Sequence, residues 1–478
     1  MIADLKPYAE YKASSQAWLG AVPQHWSVVP NRALFAEVKD RNHPDEEMLS
    51  VTITRGIVRQ KALLAGSSKK DSSNLDKSAY KLVQPRDIAY NKMRTWQGAI
   101  GASTLRGIIS PAYVVMRLRR DDDLPRYFHH LYRTPQFAKE AERWSYGITS
   151  DMWSLRPEHF KMIYTPEPPP DEQAAIVRFL DWANGRLEWA IRAKRKVIAL
   201  LNEQKQAIIH RAVIRGLDPS VPLKPSGIPW LGDIPQHWEV QRLKSLLACR
   251  LTNGVFKRGD AFGSGVPLVN VADIYAPDGR IRPESLEKVH ATPDEVETFR
   301  VLAGDLFFVR SSLKLEGTGR CAFAESLDAD TVFECHVVRA RPDRRRIVTR
   351  FLAMFLSSWA GVNNTVSRAN TVTMSTLGQG AINSLPVVVP PLSEQRGILG
   401  LVDAESSPLT AAISRLAREI ELLREYRTRL VADVVTGKLD VREAAKQLPE
   451  ETGKPEASID SDEPGDEIEF EPALSEAI

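Results

Sequence analysis

The sequence predicts a mixed α/β (α+β) protein in which two similar globular modules are joined by two long antiparallel coiled-coil helices, as a pseudo-two-fold internal repeat. Three observations predict this fold class. The phrase WLGAVPQHW at residues 18–26 returns as WLGDIPQHW at residues 230–238, with seven of nine letters unchanged. A proline-rich turn that ends in Glu-Gln, followed by a long segment of heptad spacing, also occurs twice. Short apolar runs and amphipathic segments fill the stretches between, and a repeat at this distance indicates duplicated modules rather than a solenoid.

Bulk composition describes an ordinary soluble globular chain. Its 478 residues are too many for one compact core and are enough for two to four domains. The chain has no run of eighteen apolar residues, and its first residues lack the pattern of a signal peptide. Three cysteines, at positions 249, 321 and 335, show no metal-ligand spacing, and their odd number argues against a disulfide framework. We therefore expect a cytoplasmic protein.

The charge is divided unevenly along the chain. The net charge is +3, but residues 450–478 contain eleven acidic residues and one lysine, which leaves +13 for the remaining 449 residues. A basic body indicates a polyanionic partner such as nucleic acid. The composition of the acidic segment predicts a disordered tail, which either solvates the chain or regulates it by competing with a polyanion for the basic surface.

Heptad spacing predicts the two long helices. Positions that alternate four and three apart run through residues 176–208, and the matching positions 222 residues later run through residues 398–430. Both series are mainly apolar with polar interruptions. Prolines precede each series, and Glu172 or Glu394 stands in the first turn, where a carboxylate suits the helix dipole. A single helix with this heptad pattern would leave its apolar stripe exposed to water. We therefore expect the two helices to pack on each other in antiparallel fashion.

The helix ends and interiors carry further signals. Gly216 and Gly437 fit the glycine position that follows a helix C-terminus. Pro408 interrupts the hydrogen bonding of the second helix, and Ser407 could cap a new helix that begins there. Asn184–Gly185 stands at the matching place of the first helix. We therefore expect a break or kink in both helices.

A search for catalytic motifs gives only incomplete matches. The sequence has no G-x-x-x-x-G-K-[ST] phosphate loop, H-E-x-x-H pair, zinc pattern or nucleophile elbow. SPAY at residues 110–113 lacks the second proline of an amino-methyltransferase motif, and FGSG at residues 262–265 does not join a strand to a helix. His129 and His130 are predicted to be structural. We expect no catalytic residue, metal or cofactor site in this chain.

Polar and basic loops in both halves suit nucleic-acid contact. Arginine and lysine reach phosphates or guanine edges, whereas asparagine and glutamine reach adenine edges. In the first half the candidate DNA-binding residues are Arg55, Arg59, Lys92, Arg94, Trp96, Gln97, Tyr146, Thr149 and Ser150. In the second half they are Asn253, Lys257, Arg258, Arg310, Ser311, Lys314, Arg320, Arg368, Asn370 and Thr371. A solvated loop explains any single one, but the recurrence at matching places in both halves favours a DNA interface.

The long helices also leave side chains for other proteins. On the first helix, the charged residues that lie off the heptad seam and are candidates for partner binding are Arg178, Arg186, Arg192, Lys196, Glu203 and Lys205.

The chain resembles the specificity subunits of type I restriction–modification systems. The resemblance rests on the two tryptophan-bracketed phrases, on GDLFFVRSS at residues 304–312, on PPPDEQ and PPLSEQ before the helices, and on VVTGKLDVRE at residues 434–443. It covers about residues 5–445. One departure is PRD at residues 85–87, where the family pattern has Gly-Asp, so we expect the strand there to turn differently.

The resemblance implies an order of domains. It implies a first target recognition domain at residues 1–168, a first conserved long helix at 169–216, a linker and second target recognition domain at 217–389, and a second conserved long helix at 390–446. The acidic, disordered tail at 447–478 has no counterpart in the family pattern and is predicted from its composition alone.

The resemblance also implies a function. Each recognition domain would read one half of a bipartite, asymmetric site in double-stranded DNA, and the helix pair would set the spacing and dock two methyltransferase subunits. S-adenosylmethionine, ATP and magnesium would belong to the methyltransferase and restriction translocase subunits, so this chain would be non-catalytic. The alternatives are a stand-alone DNA methyltransferase or nuclease, which needs a cofactor or metal motif, and a coiled-coil scaffold without a DNA role.

Overall fold

The computed structural model divides into two compact units, each with one module and a segment of both long helices. The first unit contains Met1–Ala193 and Glu419–Ile478, and the second contains Lys194–Arg418. The structure describes residues 5–64, 76–147, 153–276, 278–312, 315–327, 330–371 and 375–449. The predicted fold class, mixed modules joined by long helices, is confirmed. Within the described part of the chain, no helix combines the length and apolarity that crossing a membrane requires.

The first module is built around an antiparallel sheet. Its strands are β1 (Tyr11–Ala13), β2 (Ala21–Pro23), β3 (Ser27–Pro30), β4 (Phe35–Val38), β5 (Leu49–Thr52), β6 (Gly56–Arg59), β7 (Lys81–Val83), β8 (Ile88–Asn91), β9 (Ile100–Ala102), β10 (Gly107–Ile109), β11 (Tyr113–Leu118) and β12 (Tyr164–Glu167). Its helices are α1 (Asn31–Leu34), α2 (Gln60–Leu64), α3 (Pro125–Tyr132), α4 (Pro135–Arg143) and α5 (Pro157–Met162), followed by the long helix α6 (Pro170–Arg215). The central sheet has the order β4-β11-β8-β9, and β3 pairs with β12, so the first and last parts of the module meet.

The second module repeats this plan with additions. Its strands are β13 (Leu223–Pro225), β14 (Asp233–Pro235), β15 (Glu239–Arg242), β16 (Thr252–Asn253), β17 (Phe262–Val269), β18 (Arg280–Ile281), β19 (Glu287–Val289), β20 (Leu306–Val309), β21 (Ser311–Ser312), β22 (Cys321–Ala324), β23 (Val332–Phe333), β24 (Val337–Ala340), β25 (Asn370–Thr371), β26 (Ser375–Thr376) and β27 (Pro386–Val389). Its helices are α7 (Val271–Ile274), α8 (Pro293–Phe299), α9 (Thr349–Ser357), α10 (Trp359–Val366) and α11 (Gln379–Asn383), followed by the long helix α12 (Leu392–Val435) and by α13 (Arg442–Lys446).

The main sheets of the second module have the same strand plan as those of the first. The central sheet has the order β16-β24-β20-β22-β18, in which only the edge strand β18 runs parallel to its neighbour among the paired strands of that sheet. Strand β15 pairs with β27, as β3 pairs with β12. Two three-stranded sheets, β19-β17-β23 and β21-β26-β25, have no counterpart among the described sheets of the first module.

Each module shares one hydrophobic core with the helix segments of its unit. In the first unit the buried side chains of Trp26 and Phe35 belong to the same cluster as Ile176 of α6 and Val434 of α12. In the second unit the corresponding cluster joins residues of the module to Val213 of α6 and Ile398 of α12. Because close-packed interiors resist rearrangement, each module is mounted firmly on its own helix segments.

The long helices run antiparallel where they contact each other in the second unit. Lys205 Nζ lies 3.3 Å from Thr410 Oγ1, and Arg211 Nη2 lies 3.2 Å from Glu405 Oε2. The contact further along α6 thus meets an earlier residue of α12, as expected for antiparallel helices. In the first unit, Arg427 of α12 forms an ion pair with a glutamate of α6 at residue 188.

The expected start of a new helix at Pro408 is wrong. Helix α12 continues without interruption through this residue, and α6 likewise continues through Asn184–Gly185. Pro408 and Ala404, whose carbonyl loses its helical donor, are both exposed. Because Ala404 is exposed, water can replace the hydrogen bond that its carbonyl loses, and the helix continues.

The expectation that the strand after Pro85 turns differently is also wrong. Arg86 has φ +80° and Gly304 has φ +88°, so both modules enter their central strand through a left-handed residue. An aspartate follows in each case, Asp87 or Asp305, and one of its carboxylate oxygens accepts a hydrogen bond from the backbone three residues earlier. The left-handed conformation disfavours a side chain but does not forbid one, so the arginine occupies it.

Candidate nucleic-acid interface

In the first unit a tryptophan of the repeated phrase is fastened to the first turn of α6. The buried Trp26 donates its Nε1–H to Glu172 Oε1 at 3.0 Å, and His25 Nε2 lies 2.7 Å from Glu172 Oε2. Tyr8 also donates its hydroxyl to Glu172 Oε1, at 2.5 Å. Gly437, just beyond the end of α12, has φ +77°, and a Cβ there would lie 3.1 Å from the indole. One carboxylate thus satisfies the buried indole and joins the module to the start of α6, while the indole itself packs against the end of α12.

The second unit repeats the arrangement. Trp238 donates its Nε1–H to Glu394 Oε2 at 3.0 Å, and His237 Nε2 lies 2.8 Å from the same oxygen. Gly216, with φ +76°, follows the end of α6, and a Cβ there would lie 2.9 Å from both the indole and the carboxylate. We call these two groups the helix-end clusters. In each unit a tryptophan of the repeated phrase therefore packs the module entry against a long helix, which gives the phrase the same structural role twice.

The glutamine that follows each of these glutamates holds a second part of the module. Leu124, the residue before α3, donates its backbone N–H to Gln173 Oε1 at 2.9 Å, and Gln173 Nε2 donates to Asp123 Oδ1 at 3.0 Å. In the second unit Val348, the residue before α9, donates to Gln395 Oε1 at 2.7 Å. The Glu-Gln pair therefore fixes the module at two points. Sequence reasoning used it only as a marker of the helix start.

In the first unit Arg133 connects two of the predicted loops. Its guanidinium donates hydrogen bonds of 2.6–3.3 Å to the backbone carbonyls of Thr52, Ile53, Thr54, Gly98 and Ile100. The turn between β5 and β6 is thereby tied to the loop before β9. Burial lowers the pKa of Arg133 to about 10, which leaves it charged at neutral pH. Sequence reasoning missed this residue, and its place at the end of α3 gave no signal.

A third predicted loop joins the same region. The rings of Trp96 and Trp153 lie 5.6 Å apart in an edge-to-face arrangement, and Leu155 donates its backbone N–H to the carbonyl of Lys92 at 2.8 Å. Tyr146 forms a β-bridge with Ser154. The contacts bring together the loops that carry Arg55, Lys92, Arg94, Trp96, Gln97 and Tyr146.

Several first-half candidates already have partners within the chain. Arg59 pairs with Glu47 at 2.7 Å, and Arg94 Nη1 donates to Gln97 Oε1 at 3.0 Å. Trp96 donates its indole N–H to the backbone carbonyl of Met93 at 2.8 Å, so this donor is already used within the chain. Tyr146 is exposed. Two further candidates, Thr149 and Ser150, lie outside the described residues.

In the second unit the small sheet β21-β26-β25 gathers candidates from two loops. Ser311 pairs with Thr376, and Asn370 pairs with the same residue from the other side. Arg310 accepts a backbone hydrogen bond from the residue after β26, at 2.8 Å. Gln379 Nε2, at the start of α11, donates to Asn253 Oδ1 at 3.0 Å and so ties the end of β16 to the segment that follows β26. The structure therefore brings Asn253, Arg310, Ser311 and Asn370 together.

The remaining second-half candidates are more scattered. Lys257 Nζ lies 2.7 Å from a carboxylate oxygen of Glu295, whereas the neighbouring Arg258 is exposed. Arg320 lies over a tyrosine ring at 5.9 Å, and Arg368 donates to a side-chain oxygen of α10 at 3.0 Å. Lys314 and the side chain of Thr371 lie outside the described residues.

The candidate partner-binding residues divide into two groups. Arg178 donates to the carbonyl of Leu448 at 2.9 Å, and Lys205 donates to Thr410, so both already form hydrogen bonds within this chain. The exposed members are Arg186, Arg192, Lys196 and Glu203.

His129 of α3 holds a backbone group of the central sheet. His129 Nδ1 accepts the backbone N–H of Ala102 at 3.2 Å, which requires that nitrogen to be unprotonated. Burial, together with the nearby positive charges, holds the pKa of His129 well below its usual value.

One group of potential metal ligands was missed by the search for cysteine spacing. Among the described residues, ligand atoms of Glu334, Cys335 and His336 lie within 4.8 Å of one another. They are consecutive in the turn that leads into β24, beside Arg310, whose backbone N–H donates to the His336 carbonyl.

The chain is similar in sequence and in structure to known proteins. No family model matches the chain. It is 21% identical over 411 residues to the type I restriction enzyme EcoKI specificity subunit of Escherichia coli K12, covering 80% of this chain and 82% of that protein. It is 22% identical over 398 residues to the StySPI specificity subunit of Salmonella potsdam, with the same coverage. A solved chain from work on assembly and conformational transition of the type I restriction–modification system matches with a TM-score of 0.61 and 16% identity, over 87% of this chain and 99% of that one.

The chain is similar over most of its length to type I restriction enzyme specificity subunits. The match spans most of both proteins compared, and both helix-end clusters of this chain occur at the repeated phrases that carried the resemblance.

Proposed function

We propose that this chain is the DNA-reading, non-catalytic component of a type I restriction–modification complex. Each unit reads one half of a bipartite, asymmetric site in double-stranded DNA. The observation that supports this most directly is the gathering of polar and basic loops in both units, through Arg133 in the first and through β21-β26-β25 in the second. Loops on a rigid scaffold are where binding residues concentrate.

Charge supports a nucleic-acid ligand. The 449 residues before the acidic segment carry +13, and DNA binding is driven largely by neutralisation of phosphates. The gathered side chains include Arg310 and Asn253, whose types suit guanine and adenine edges respectively. A scaffold without a DNA role gives no reason for these loops to converge in both units.

The long helices suit the docking of other subunits and the setting of the spacing between half-sites. Large apolar side chains are exposed along them, namely Trp189, Leu200, Leu422 and Tyr426. Such side chains, next to the exposed charges of α6, have the composition of a protein interface with an apolar centre and a polar rim. We propose that two methyltransferase subunits bind there, with restriction translocase subunits joining the complex.

The cofactors belong to the partner subunits in this proposal. The methyltransferase subunits bring S-adenosylmethionine and flip the target adenine, and the translocase subunits bring ATP and magnesium. The isolated chain is expected to give no binding heat with S-adenosylmethionine in calorimetry. Saturable binding would instead favour a stand-alone methyltransferase.

Co-expression with the methyltransferase subunit tests the assembly. Native mass measurement is expected to show one copy of this chain with two copies of that subunit. Genome-wide methylation mapping of the same cells is expected to give a motif in two halves separated by a fixed gap. A stable lone chain beside excess methyltransferase subunit, or a single continuous motif, would contradict the proposal.

A further inference from the structure

Three aromatic side chains are the most exposed large apolar residues among those the structure describes. Phe256 is 69% exposed, Trp189 is 65% exposed and Tyr146 is 60% exposed. Trp189 lies on a long helix. The other two stand beside the candidate DNA interface, one in each unit. Phe256 was not among the residues that sequence reasoning selected.

Phe256 projects from a backbone that is fixed on both sides. Val255 before it is buried and forms a parallel bridge with Glu334. Lys257 after it is held by Glu295 through two hydrogen bonds of 2.7 and 2.9 Å. The preceding Gly254 packs so tightly that a Cβ there would collide with the backbone of residues 333–334. The ring is therefore presented to solvent by a rigid segment rather than by a mobile loop tip.

The segment that carries Phe256 is continuous with the gathered loops of the second unit. Asn253, three residues earlier, is held by Gln379, and Glu334 lies two residues from His336, whose carbonyl accepts the backbone N–H of Arg310. Arg258 is exposed two residues later. Phe256 thus lies on the same short segment as the candidate DNA-binding residues Asn253, Lys257 and Arg258.

Tyr146 occupies a similar setting in the first unit. Its backbone is fixed by the bridge to Ser154, next to the pair of rings formed by Trp96 and Trp153. The rings of Tyr146 and His159 form an edge-to-face pair with a centroid distance of 5.1 Å. One exposed, backbone-anchored aromatic ring therefore stands beside the gathered loops of each unit.

We propose that Phe256 and Tyr146 each stack on a nucleobase that is unstacked from the duplex in the half-site of their own unit. This rests on the proposed DNA-reading function. A single exposed apolar side chain needs no explanation in general. A rigidly presented ring among basic and amide side chains has the composition of a base-stacking platform, since every base offers a π-face and stacking tolerates any sequence. The rings therefore add affinity, while the neighbouring polar side chains select the sequence.

The test uses the complex of the full chain with its methyltransferase subunits and a synthetic duplex that carries the site found by methylation mapping. Phe256→Ala is expected to weaken binding ten- to hundred-fold, which corresponds to about 1.4–2.8 kcal/mol for the loss of one stacked base. Phe256→Trp is expected to retain binding, and Phe256→Leu to lose most of it, because leucine is apolar but has no π-face. Leu223→Ala, which removes another exposed apolar side chain of the same unit, is the matched control and is expected to bind as the unchanged chain does.

Two further measurements separate stacking from other roles. The dependence of affinity on salt is expected to keep its slope in Phe256→Ala, because no charge is removed. 2-Aminopurine placed in turn through the second half-site is expected to change fluorescence at one position, and Phe256→Ala is expected to abolish that change. Tyr146→Ala is expected to do the same in the other half-site only, with Tyr146→Phe behaving like the unchanged chain.

The outcomes distinguish this inference from the proposed function. If the unchanged complex shows no site-selective, salt-dependent binding, the proposed function fails. If the unchanged complex binds selectively and Phe256→Ala binds within twofold of it, or Phe256→Leu binds equally well, base stacking by Phe256 is overturned while DNA reading stands.

Discussion

At the residue scale, Glu172 and Glu394 each connect a module to the first turn of a long helix through one carboxylate. Each accepts the indole N–H of a tryptophan, and the Glu172 carboxylate also accepts the hydroxyl of Tyr8. Removing one acceptor leaves buried donors unsatisfied, which costs far more than an exposed hydrogen bond does.

We expect Glu172→Ala to lower the free energy of unfolding by about 1–3 kcal/mol, because the Trp26 and Tyr8 donors lose their acceptor. Glu172→Gln keeps an acceptor oxygen and is expected to cost less. Asp171→Ala is the matched control, since Asp171 lies in the same helical turn and is exposed. Denaturant unfolding of the full chain checks this, and equal losses in Glu172→Ala and Asp171→Ala would show that only the helix dipole is involved.

His129 predicts a pH dependence of stability. Burial lowers its pKa well below the usual 6.5, so the folded state holds the neutral form. The stability that this histidine contributes is therefore complete above about pH 6.5 and is lost as the pH falls below that value, where the unfolded chain binds the proton. Arg133, His130 and Arg126 are the nearby groups that oppose protonation.

The measurement is denaturant unfolding at pH 7.5 and at pH 5.5. The unchanged chain is expected to lose more stability on acidification than His129→Gln, whose amide oxygen can still accept the Ala102 N–H. An identical loss in both proteins would show that His129 does not titrate differently on folding.

At the scale of elements, the gathered loops depend on contacts that are distant in sequence. Arg133 at the end of α3 reaches carbonyls in the turn after β5 and in the loop before β9. The residues predicted to contact DNA lie in those loops, but the residue that positions them does not. Propensity and local pattern describe neighbours along the chain, so such an anchor is invisible to them.

We expect Arg133→Met to weaken recognition of the first half-site by at least about tenfold, because five carbonyls lose a charged donor and the two loops separate. Recognition of the second half-site is expected to stay unchanged. Arg126→Ala, which removes an exposed ion pair from the same helix, is the control. Binding to duplexes altered in one half at a time measures both effects, and equal losses in the two variants would contradict the anchoring role.

At the scale of the whole molecule, each unit contains a hydrophobic core, a helix-end cluster and a set of gathered loops of its own. Independent sites of this kind contribute additively. The division of the chain into two units therefore predicts that each half of the recognised site can be changed separately.

Exchanging residues 18–165 for those of a relative is expected to replace one half of the methylated motif and keep the other. In the second unit, Arg258→Ala or Arg368→Ala is expected to cost about 1–3 kcal/mol and relax one position if that residue reads a guanine edge. If it contacts only phosphate, affinity falls for all sequences and the salt slope flattens by about one unit. Methylation mapping with binding titrations checks this. A change in one module that alters both halves would contradict the two-reader scheme.

The acidic segment gives a further prediction. Deleting residues 450–478 removes ten net negative charges from a chain whose body is basic. The melting temperature is expected to stay nearly unchanged and DNA affinity to stay equal or rise, because electrostatic attraction to phosphates strengthens. Thermal unfolding and salt-controlled gel shifts measure these two quantities, and a marked loss of DNA binding would show that the segment is structural.

The sequence by itself determined the duplication, the two long helices and the mixed character of the modules, because periodicity and repeated phrases are written along the chain. It also identified most of the loops that the structure gathers. The predicted start of a new helix at Pro408 is wrong, because the residue whose carbonyl loses its hydrogen bond is exposed and the helix continues. The predicted difference in the turn after Pro85 is also wrong, because Arg86 adopts the left-handed conformation that Gly304 adopts in the other module. Only the tertiary structure decided that Glu172 and Glu394 hold the tryptophans, that Arg133 joins two loops, and that Phe256 faces solvent on a fixed backbone. These features depend on which distant groups meet when apolar surface is buried, and that is settled by packing in three dimensions rather than by local pattern.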